Sequence, residues 1–167
     1  IGACNIEGWR LEQALGISAE RSLARFDWVQ NSFSLLDLAA ETDALPVCAR
    51  EGVGFTPFSP LAGGWLTGKK DLASGPTQGS RMTMRPEPYR RFQNERTFLM
   101  LDRFRGAARE RGVDPATLAI AWLVAHPQVD AVIVGPRRPD HLEAAGRALE
   151  LNLSPYHRSE IAAIFAE

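Results

Sequence analysis

Cysteine, lysine and long apolar runs are all scarce in this chain of 167 residues. The two cysteines, Cys4 and Cys48, have no CxxC spacing and form no disulfide framework, which favours a reducing, cytoplasmic setting. No apolar run approaches the roughly 18 residues that a membrane span requires, and no signal peptide is visible. A net charge of −1 removes any bulk electrostatic argument for binding nucleic acid or an anionic membrane.

The remaining composition is that of a globular domain. Hydrophobic residues make up 45% of the chain and charged residues 23%, and the length allows a substantial core. Lys69 and Lys70 are the only lysines. Because the chain starts at Ile1 within what reads as the end of a buried strand, we expect residues 1–167 to be a single unit and a fragment of a domain of roughly 300 residues.

Short apolar runs alternate with helical periodicity along the chain. Strands are predicted at Ile1–Cys4, Phe26–Gln30, Val53–Phe58 and Asp130–Val134. Helices are predicted at Glu7–Leu15, Leu36–Glu51, Asn94–Arg111 and Ala116–Ala125, from Arg138 to Leu149, and from Ser154 to Phe165. Gly16 is expected to end the first helix and Pro46 to kink or restart the second. This order predicts an α/β fold with a parallel sheet, and four such units amount to half of an eightfold barrel.

The segment from Gly52 to Lys69, GVGFTPFSPLAGGWLTGK, is the most informative part of the sequence. It reads as a buried strand that reaches a Ser-Pro corner and opens into a glycine-containing loop ending in lysine. Loops at the carboxyl ends of barrel strands carry the ligand chemistry of α/β barrels, and glycines permit close approach of a ligand. An ordinary strand-to-helix connection remains the alternative for this segment taken alone.

Four motifs in order resemble those of the aldo-keto reductases, which are NADPH-dependent oxidoreductases. They are IGACN at Ile1–Asn5, VQNSFSLLD at Val29–Asp37, FSPLAGGWLTGK at Phe58–Lys69, and the segment Leu118–Ala145. The resemblance implies the C-terminal half of a TIM (β/α)8 barrel, with strands 5–8 and their helices. The long loop at Lys70–Arg91 resembles the branch that includes bacterial aldo/keto reductases and potassium-channel β subunits.

The resemblance implies a set of residues that bind NADPH. Asn5 and Gln30 would hold the nicotinamide carboxamide, because side-chain amides offer both a donor and an acceptor. The aromatic ring of Phe58 would stack on the nicotinamide. The residues implied for the pyrophosphate and the adenosine end are Ser59, Pro60, Leu61, Gly63, Lys69, Arg81, Gly135, Arg137 and His141. A guanidinium at Arg137 suits a 2′-phosphate, which argues for NADPH over NADH.

Five of these residues also have a structural alternative. Asn5 and Gln30 can be loop caps, Phe58 can be a core residue, and either basic side chain, Lys69 or Arg81, can be solvated surface. The chain also departs from the family pattern. Cys4 replaces a serine, so binding of the nicotinamide carboxamide is expected to be weaker. Ala144 and Ala145 replace a Glu and an Asn, so adenosine recognition is expected to be looser.

Family members reduce aldehydes or ketones with a catalytic Asp, Tyr, Lys and His that precede the fifth strand. No motif in this sequence matches them, and neither tyrosine, Tyr89 or Tyr156, occupies a matching position. His126 and His157 lack metal-ligand spacing, and no metal site is predicted. The chain alone is therefore predicted to be inactive.

Three interpretations stay open. The chain is part of an active enzyme that acts on a small carbonyl substrate, a non-catalytic NADP(H)-binding module, or an interaction unit that associates with itself through its open sheet edges.

Overall fold

The fold is taken from a computed structural model that describes residues 1–69, 84–136, 138–139 and 141–166. Three short parallel strands form its sheet: β1 (Gly2–Cys4), β2 (Trp28–Gln30) and β3 (Gly54–Phe55). β2 lies in the middle, with Gly2 opposite Trp28 and Val29 opposite Phe55. The first three predicted strands are thus confirmed, although each is shorter than its apolar run.

Helices follow the strands as the alternation predicted. They are α1 (Gly8–Glu20), α2 (Ala39–Thr42), α3 (Ala44–Glu51), α4 (Glu95–Glu110), α5 (Pro115–Val124), α6 (His141–Glu150) and α7 (Pro155–Ala163). The described parts of the long connection between β3 and α4 contain two 3₁₀ helices, Ala62–Thr67 and Glu87–Phe92.

The starts of α4 and α5 are fixed by capping side chains. The Asn94 side-chain oxygen accepts a hydrogen bond from the backbone N–H of Thr97 at 2.9 Å. Asp114 does the same for Thr117 at 2.9 Å, and Pro115 follows at the first helical position, where a missing N–H costs nothing. The Asn and the Asp-Pro pair are local signals, and the helix starts predicted near them are confirmed.

The prediction that Gly16 ends α1 is wrong. The helix runs on to Glu20, because the buried face that carries Leu11 and Leu15 continues beyond the glycine at Ser18. The Ser18 hydroxyl then donates to the carbonyl oxygen of Ala24 at 3.1 Å and fixes the chain after the helix. Burial on one face thus outweighs the cost of a glycine inside a helix, about 0.5–1 kcal/mol relative to alanine.

A break between α2 and α3 replaces the kink predicted at Pro46. The helix is interrupted at Asp43, whose backbone angles are not helical (φ −119°, ψ −85°), and restarts at Ala44. Pro46 therefore lies in the first turn of α3, where backbone N–H groups have no partner within the helix. The predicted restart is confirmed, but it comes before the proline.

The predicted strand at Asp130–Val134 does not form, although the segment does lie beside β3. The backbone N–H of Asp130 donates to the carbonyl of Phe55 at 3.0 Å, and that of Ile133 donates to Pro57 at 2.9 Å. A regular parallel ladder would then need Pro57 to donate back to Asp130, and proline has no N–H. The Asp130 carboxylate instead accepts from the N–H of Phe55 at 2.8 Å.

Within the part of the chain that the structure describes, helices cover one face of the sheet and leave the other partly exposed. Val29 and Phe55 are completely buried, and the ring of Phe33 lies 5.3 Å from that of Trp122 on α5. On the opposite face Trp28 keeps 44% of its surface exposed. Its ring lies across β3, where a Cβ on Gly54 would come within 2.4 Å of it. This is an α/β arrangement; the four-stranded half-barrel itself stays a prediction.

Within the described ranges, no helix is both long and apolar enough to cross a bilayer.

Candidate functional site

Two side-chain amides, those of Asn5 and Gln30, lie at the carboxyl ends of β1 and β2 and both contact Cys4. The backbone N–H of Asn5 donates to the carbonyl of Gln30 at 3.0 Å. Between the two side chains lies Cys4, which accepts from the Asn5 amide at 3.4 Å and donates to Gln30 Oε1 at 3.8 Å. Asn5 has a positive φ of 55°, a conformation that asparagine tolerates better than most residues. Asn5 and Cys4 are exposed and Gln30 is half-buried, so this polar group is accessible to a ligand.

Asn31 holds this arrangement together and was not among the predicted site residues. It is 9% exposed, and its side-chain amide makes two hydrogen bonds to the backbone of Ile6. Oδ1 accepts from the Ile6 N–H at 3.1 Å and Nδ2 donates to the Ile6 carbonyl at 2.8 Å. The loop that carries Asn5 is thereby tied to the end of β2. The Gln-Asn pair is visible in the sequence, but the partner of Asn31 lies 25 residues away.

Phe58 is placed beside the same strand ends by backbone hydrogen bonds. Its N–H donates to the carbonyl of Asn31 at 3.0 Å, and its own carbonyl accepts from the N–H of Phe33 at 3.4 Å. The side chain is half-buried. Ser59 follows with a positive φ of 58° and turns the chain away from the sheet. Asn5, Gln30, Phe58 and Ser59 therefore lie at the carboxyl ends of three adjacent strands.

The glycine-containing loop is compact and partly covered. Ser59 and Leu61 are half-buried and Pro60 is buried. The ring of Tyr89 occupies the space beside Gly63, where an added Cβ would lie 2.6–2.8 Å from three ring carbons. Gly63 therefore permits close approach of an aromatic ring from its own chain. Gly64, with φ 99° and no atom within 4 Å of an added Cβ, is the glycine that leaves open space.

The adenosine end of the predicted site is described only in part. Gly135 is exposed and has open space around it, and His141 is the exposed first residue of α6. Leu61 of the glycine-containing loop packs against the same small apolar cluster as Val134 and Ala145. This cluster brings the loop and the start of α6 to one region. Arg81 and Arg137 lie outside the described residues.

Lys69 lies at the far end of the loop and is exposed. It lines an open cleft of about 640 Å³ together with Arg105 and Arg109 of α4. The two arginines were not predicted as site residues, because they follow Lys69 by more than 30 positions and belong to a helix that carries charge along much of its exposed face.

The buried polar residues outside this region have structural roles. The pKa of His126 is lowered to about 4, chiefly by burial and also by the nearby Arg158, while Glu41 opposes both. Burial also raises the pKa of the Cys48 thiol to about 11, with a further contribution from Asp130. Among the residues described, no group of three or more His, Cys, Asp or Glu side chains is placed to hold a metal ion.

Comparison with known proteins identifies the family. The model of the aldo/keto reductase family matches residues 1–166. An uncharacterized oxidoreductase, YrpG of Bacillus subtilis, is 33% identical over 153 residues, covering 92% of this chain and 44% of its own length. A probable voltage-gated potassium channel subunit beta of Arabidopsis thaliana is 34% identical over 115 residues, covering 66% of this chain and 34% of its own length.

A third relative is the NADH-specific methylglyoxal reductase of Escherichia coli, 28% identical over 160 residues, covering 92% of this chain and 44% of its own length. The chain thus spans about half the length, or less, of these relatives. The match to the family model covers nearly every residue, and it agrees with the four motifs and the parallel α/β architecture. The chain therefore belongs to the aldo/keto reductase family.

Proposed function

We propose that this chain provides the NADP(H)-binding part of an aldo-keto reductase that interconverts carbonyl and alcohol groups. The observation that carries the proposal is the pairing of Asn5 and Gln30 across the carboxyl ends of β1 and β2. Two amides at this position offer donors and acceptors to a carboxamide, and parallel strands place ligands at this edge. The nicotinamide coenzyme typical of the family has such a carboxamide.

The chain's own residues fit the coenzyme in three places. Asn5 and Gln30 would bind the carboxamide, and the Phe58 ring beside them would stack on the nicotinamide. The loop at Ser59–Gly64, with its open Gly64, would follow the pyrophosphate. The residues at Gly135–His141 would hold the adenosine end. When bound, the coenzyme supplies the hydride that reduces the carbonyl carbon.

We further propose that this chain does not itself donate the proton that completes carbonyl reduction. Tyr89 packs against the glycine-containing loop, and Tyr156 is exposed on α7 next to His157. Neither tyrosine has a lysine among the ring and hydrogen-bond contacts of the described residues, and a lysine is what tunes the acidity of the family's proton donor. We expect the proton-donating residues to lie in the part of the relatives that this chain does not match, since the chain covers 44% of the length of two of them.

A coenzyme titration followed by nicotinamide fluorescence tests the proposal. Asn5→Ala and Gln30→Ala should each weaken NADPH binding about tenfold, because each removes hydrogen bonds worth about 1.4 kcal/mol. Both variants should bind 2′,5′-ADP, which lacks the nicotinamide, as the unchanged chain does. Asn152→Ala, at an exposed asparagine after α6, is the matched control and should change neither affinity.

Equal losses of affinity for NADPH and 2′,5′-ADP would contradict the assignment of Asn5 and Gln30.

The preference for NADPH or NADH needs a separate comparison, because one relative is by name specific for NADH. With Arg137→Ala, NADPH binding should fall far more than NADH binding if the guanidinium holds the 2′-phosphate.

A non-catalytic role is the second candidate. The relative named as a potassium channel subunit favours it, as does the proposed lack of a proton donor. In this role the chain would bind NADP(H) without turnover. Tight coenzyme binding without carbonyl reduction, also when the part of the relatives that this chain does not match is supplied, would support it over the enzyme.

A further inference from the structure

A positively charged cleft lies between the end of the glycine-containing loop and helix α4. We name it the α4 cleft and define it by Gly68, Lys69, Asp102, Arg105 and Arg109. It has a volume of about 640 Å³ and opens to solvent. Three cationic side chains and one carboxylate line it, so the charge within it is strongly positive.

One of the three cations is fixed and two are available. Arg105 forms an ion pair with Asp102 and donates to the carbonyl oxygen of Gly68 at 3.4 Å, so its guanidinium is held at the mouth of the cleft. Lys69 and Arg109 are exposed. A fixed guanidinium with two movable cations around it is an arrangement that suits a multiply charged oxyanion.

Two carboxylates of neighbouring elements are held by cations outside the cleft. Asp114, at the start of α5, pairs with Arg147 at 2.6 Å. Glu160 of α7 pairs with Arg111 at 2.7 Å. Asp102, which does line the cleft, pairs with Arg105, so Lys69 and Arg109 leave a net positive charge in the lining.

The walls of the cleft leave room for a ligand to approach the backbone. Gly68 and Gly112 both have positive φ angles, 77° and 68°. No atom lies within 4 Å of a Cβ added at Gly112, so this wall presents backbone to the cleft. Pro115 closes the opposite side against Gly68.

We propose that the α4 cleft binds a phosphate group through Arg105, Arg109 and Lys69. Phosphate is the dianion whose oxygens match both guanidinium and ammonium donors. Its source is either a phosphate of the coenzyme or a separate phosphate ester, and the experiment below distinguishes these two. The inference does not depend on the carboxamide role of Asn5 and Gln30.

The test is a titration with inorganic phosphate at constant ionic strength, followed by the linewidth of the phosphorus-31 resonance. Arg109→Gln should weaken phosphate binding about tenfold, the loss of one charge-assisted contact. Arg96→Gln is the matched control, because Arg96 is exposed on the same helix and does not line the cleft. It should bind phosphate as the unchanged chain does.

Arg105→Gln also removes the contacts to Asp102 and Gly68, so Arg109→Gln carries the conclusion if Arg105→Gln fails to fold. The same variants are titrated with NADPH. If NADPH competes with phosphate and both weaken in Arg109→Gln, the coenzyme supplies the phosphate. If only phosphate weakens and NADPH does not compete, the ligand is a separate phosphate ester.

Equal phosphate affinity in Arg109→Gln and Arg96→Gln would overturn the proposal and leave Arg109 as a partner of the α4 C-terminus. Failure of the unchanged chain to bind any nicotinamide coenzyme would instead overturn the proposed function, and the phosphate titration would still decide the role of the cleft.

Discussion

At the scale of single residues, the buried polar group around His126 makes the stability of the chain sensitive to acid. His126 is 6% exposed, and its Nδ1 accepts from the backbone N–H of Gln128 at 3.1 Å. Its Nε2 lies 3.7 Å from Glu41, which also accepts from Arg158 at 2.9 Å. The neutral imidazole satisfies both neighbours. Its Nδ1 accepts a hydrogen bond from Gln128 and therefore carries no proton, while the protonated Nε2 faces Glu41.

We therefore expect the free energy of unfolding to fall as the pH drops from about 6.5 to about 4. Burial holds the pKa of folded His126 at about 4, below the ordinary value of 6.5, so the unfolded chain takes up the proton first. The neutral histidine contributes fully above pH 6.5, and its contribution is lost through this window. Since one pKa unit corresponds to about 1.4 kcal/mol, the loss is on the order of 3 kcal/mol.

Urea unfolding at a series of pH values measures this effect. His126→Gln should have a lower stability at pH 7 and should lose much of the pH dependence in this window. His157→Gln, at an exposed histidine on α7, should keep the dependence of the unchanged chain. An unchanged slope in His126→Gln would show that the acid sensitivity has another source.

At the scale of elements, helix α1 is longer than its sequence pattern suggests and contains a costly glycine. Gly16→Ala should stabilise the chain by about 0.5–1 kcal/mol, because an added Cβ meets no atom within 4 Å and reduces the freedom of the unfolded chain. Gly52→Ala is the matched control. Its Cβ is equally free of contacts, but φ is 62° and the change should destabilise by about 1 kcal/mol.

The midpoint of urea unfolding separates the two glycine variants. Opposite signs are expected, and a decrease in stability for Gly16→Ala would mean that α1 needs the glycine for something other than continuity.

The elements could be predicted from sequence where the signal is local. Caps such as Asn94 and Asp114 act within four residues, and they gave the starts of α4 and α5. The extension of α1 past Gly16 depends on burial against other elements, which local propensity does not contain. The strand at Asp130–Val134 was mispredicted for a similar reason: its apolar run is suitable, but the partner position is Pro57, which cannot donate.

At the scale of the whole molecule, the candidate site combines the family resemblance with chain order. The motifs assigned Asn5, Gln30 and Phe58 to one site, and parallel strands that end at one edge place these residues close together. Three features of the site join positions that lie 25 or more residues apart in the sequence. They are the hydrogen bonds between Asn31 and Ile6, the packing of the Tyr89 ring against Gly63, and the arginines of the α4 cleft near Lys69. Such pairs depend on the packed fold, and no local pattern indicates them.

The open edge of the sheet gives the last prediction. Among the residues that the structure describes, β1 pairs on one side only, with β2, and Ile1 beside it is 62% exposed. Because such an edge offers unpaired backbone groups to another chain, we expect self-association that increases with concentration.

Ile1→Lys should reduce this self-association, since a charge at an edge opposes pairing. Leu149→Lys removes an equally exposed apolar side chain, 71% exposed on α6, and should leave association unchanged. Sedimentation equilibrium of the three proteins measures the difference. Equal reductions would assign the association to general surface hydrophobicity, whereas a reduction confined to Ile1→Lys would locate it at β1, the edge at which a neighbouring strand would complete the sheet.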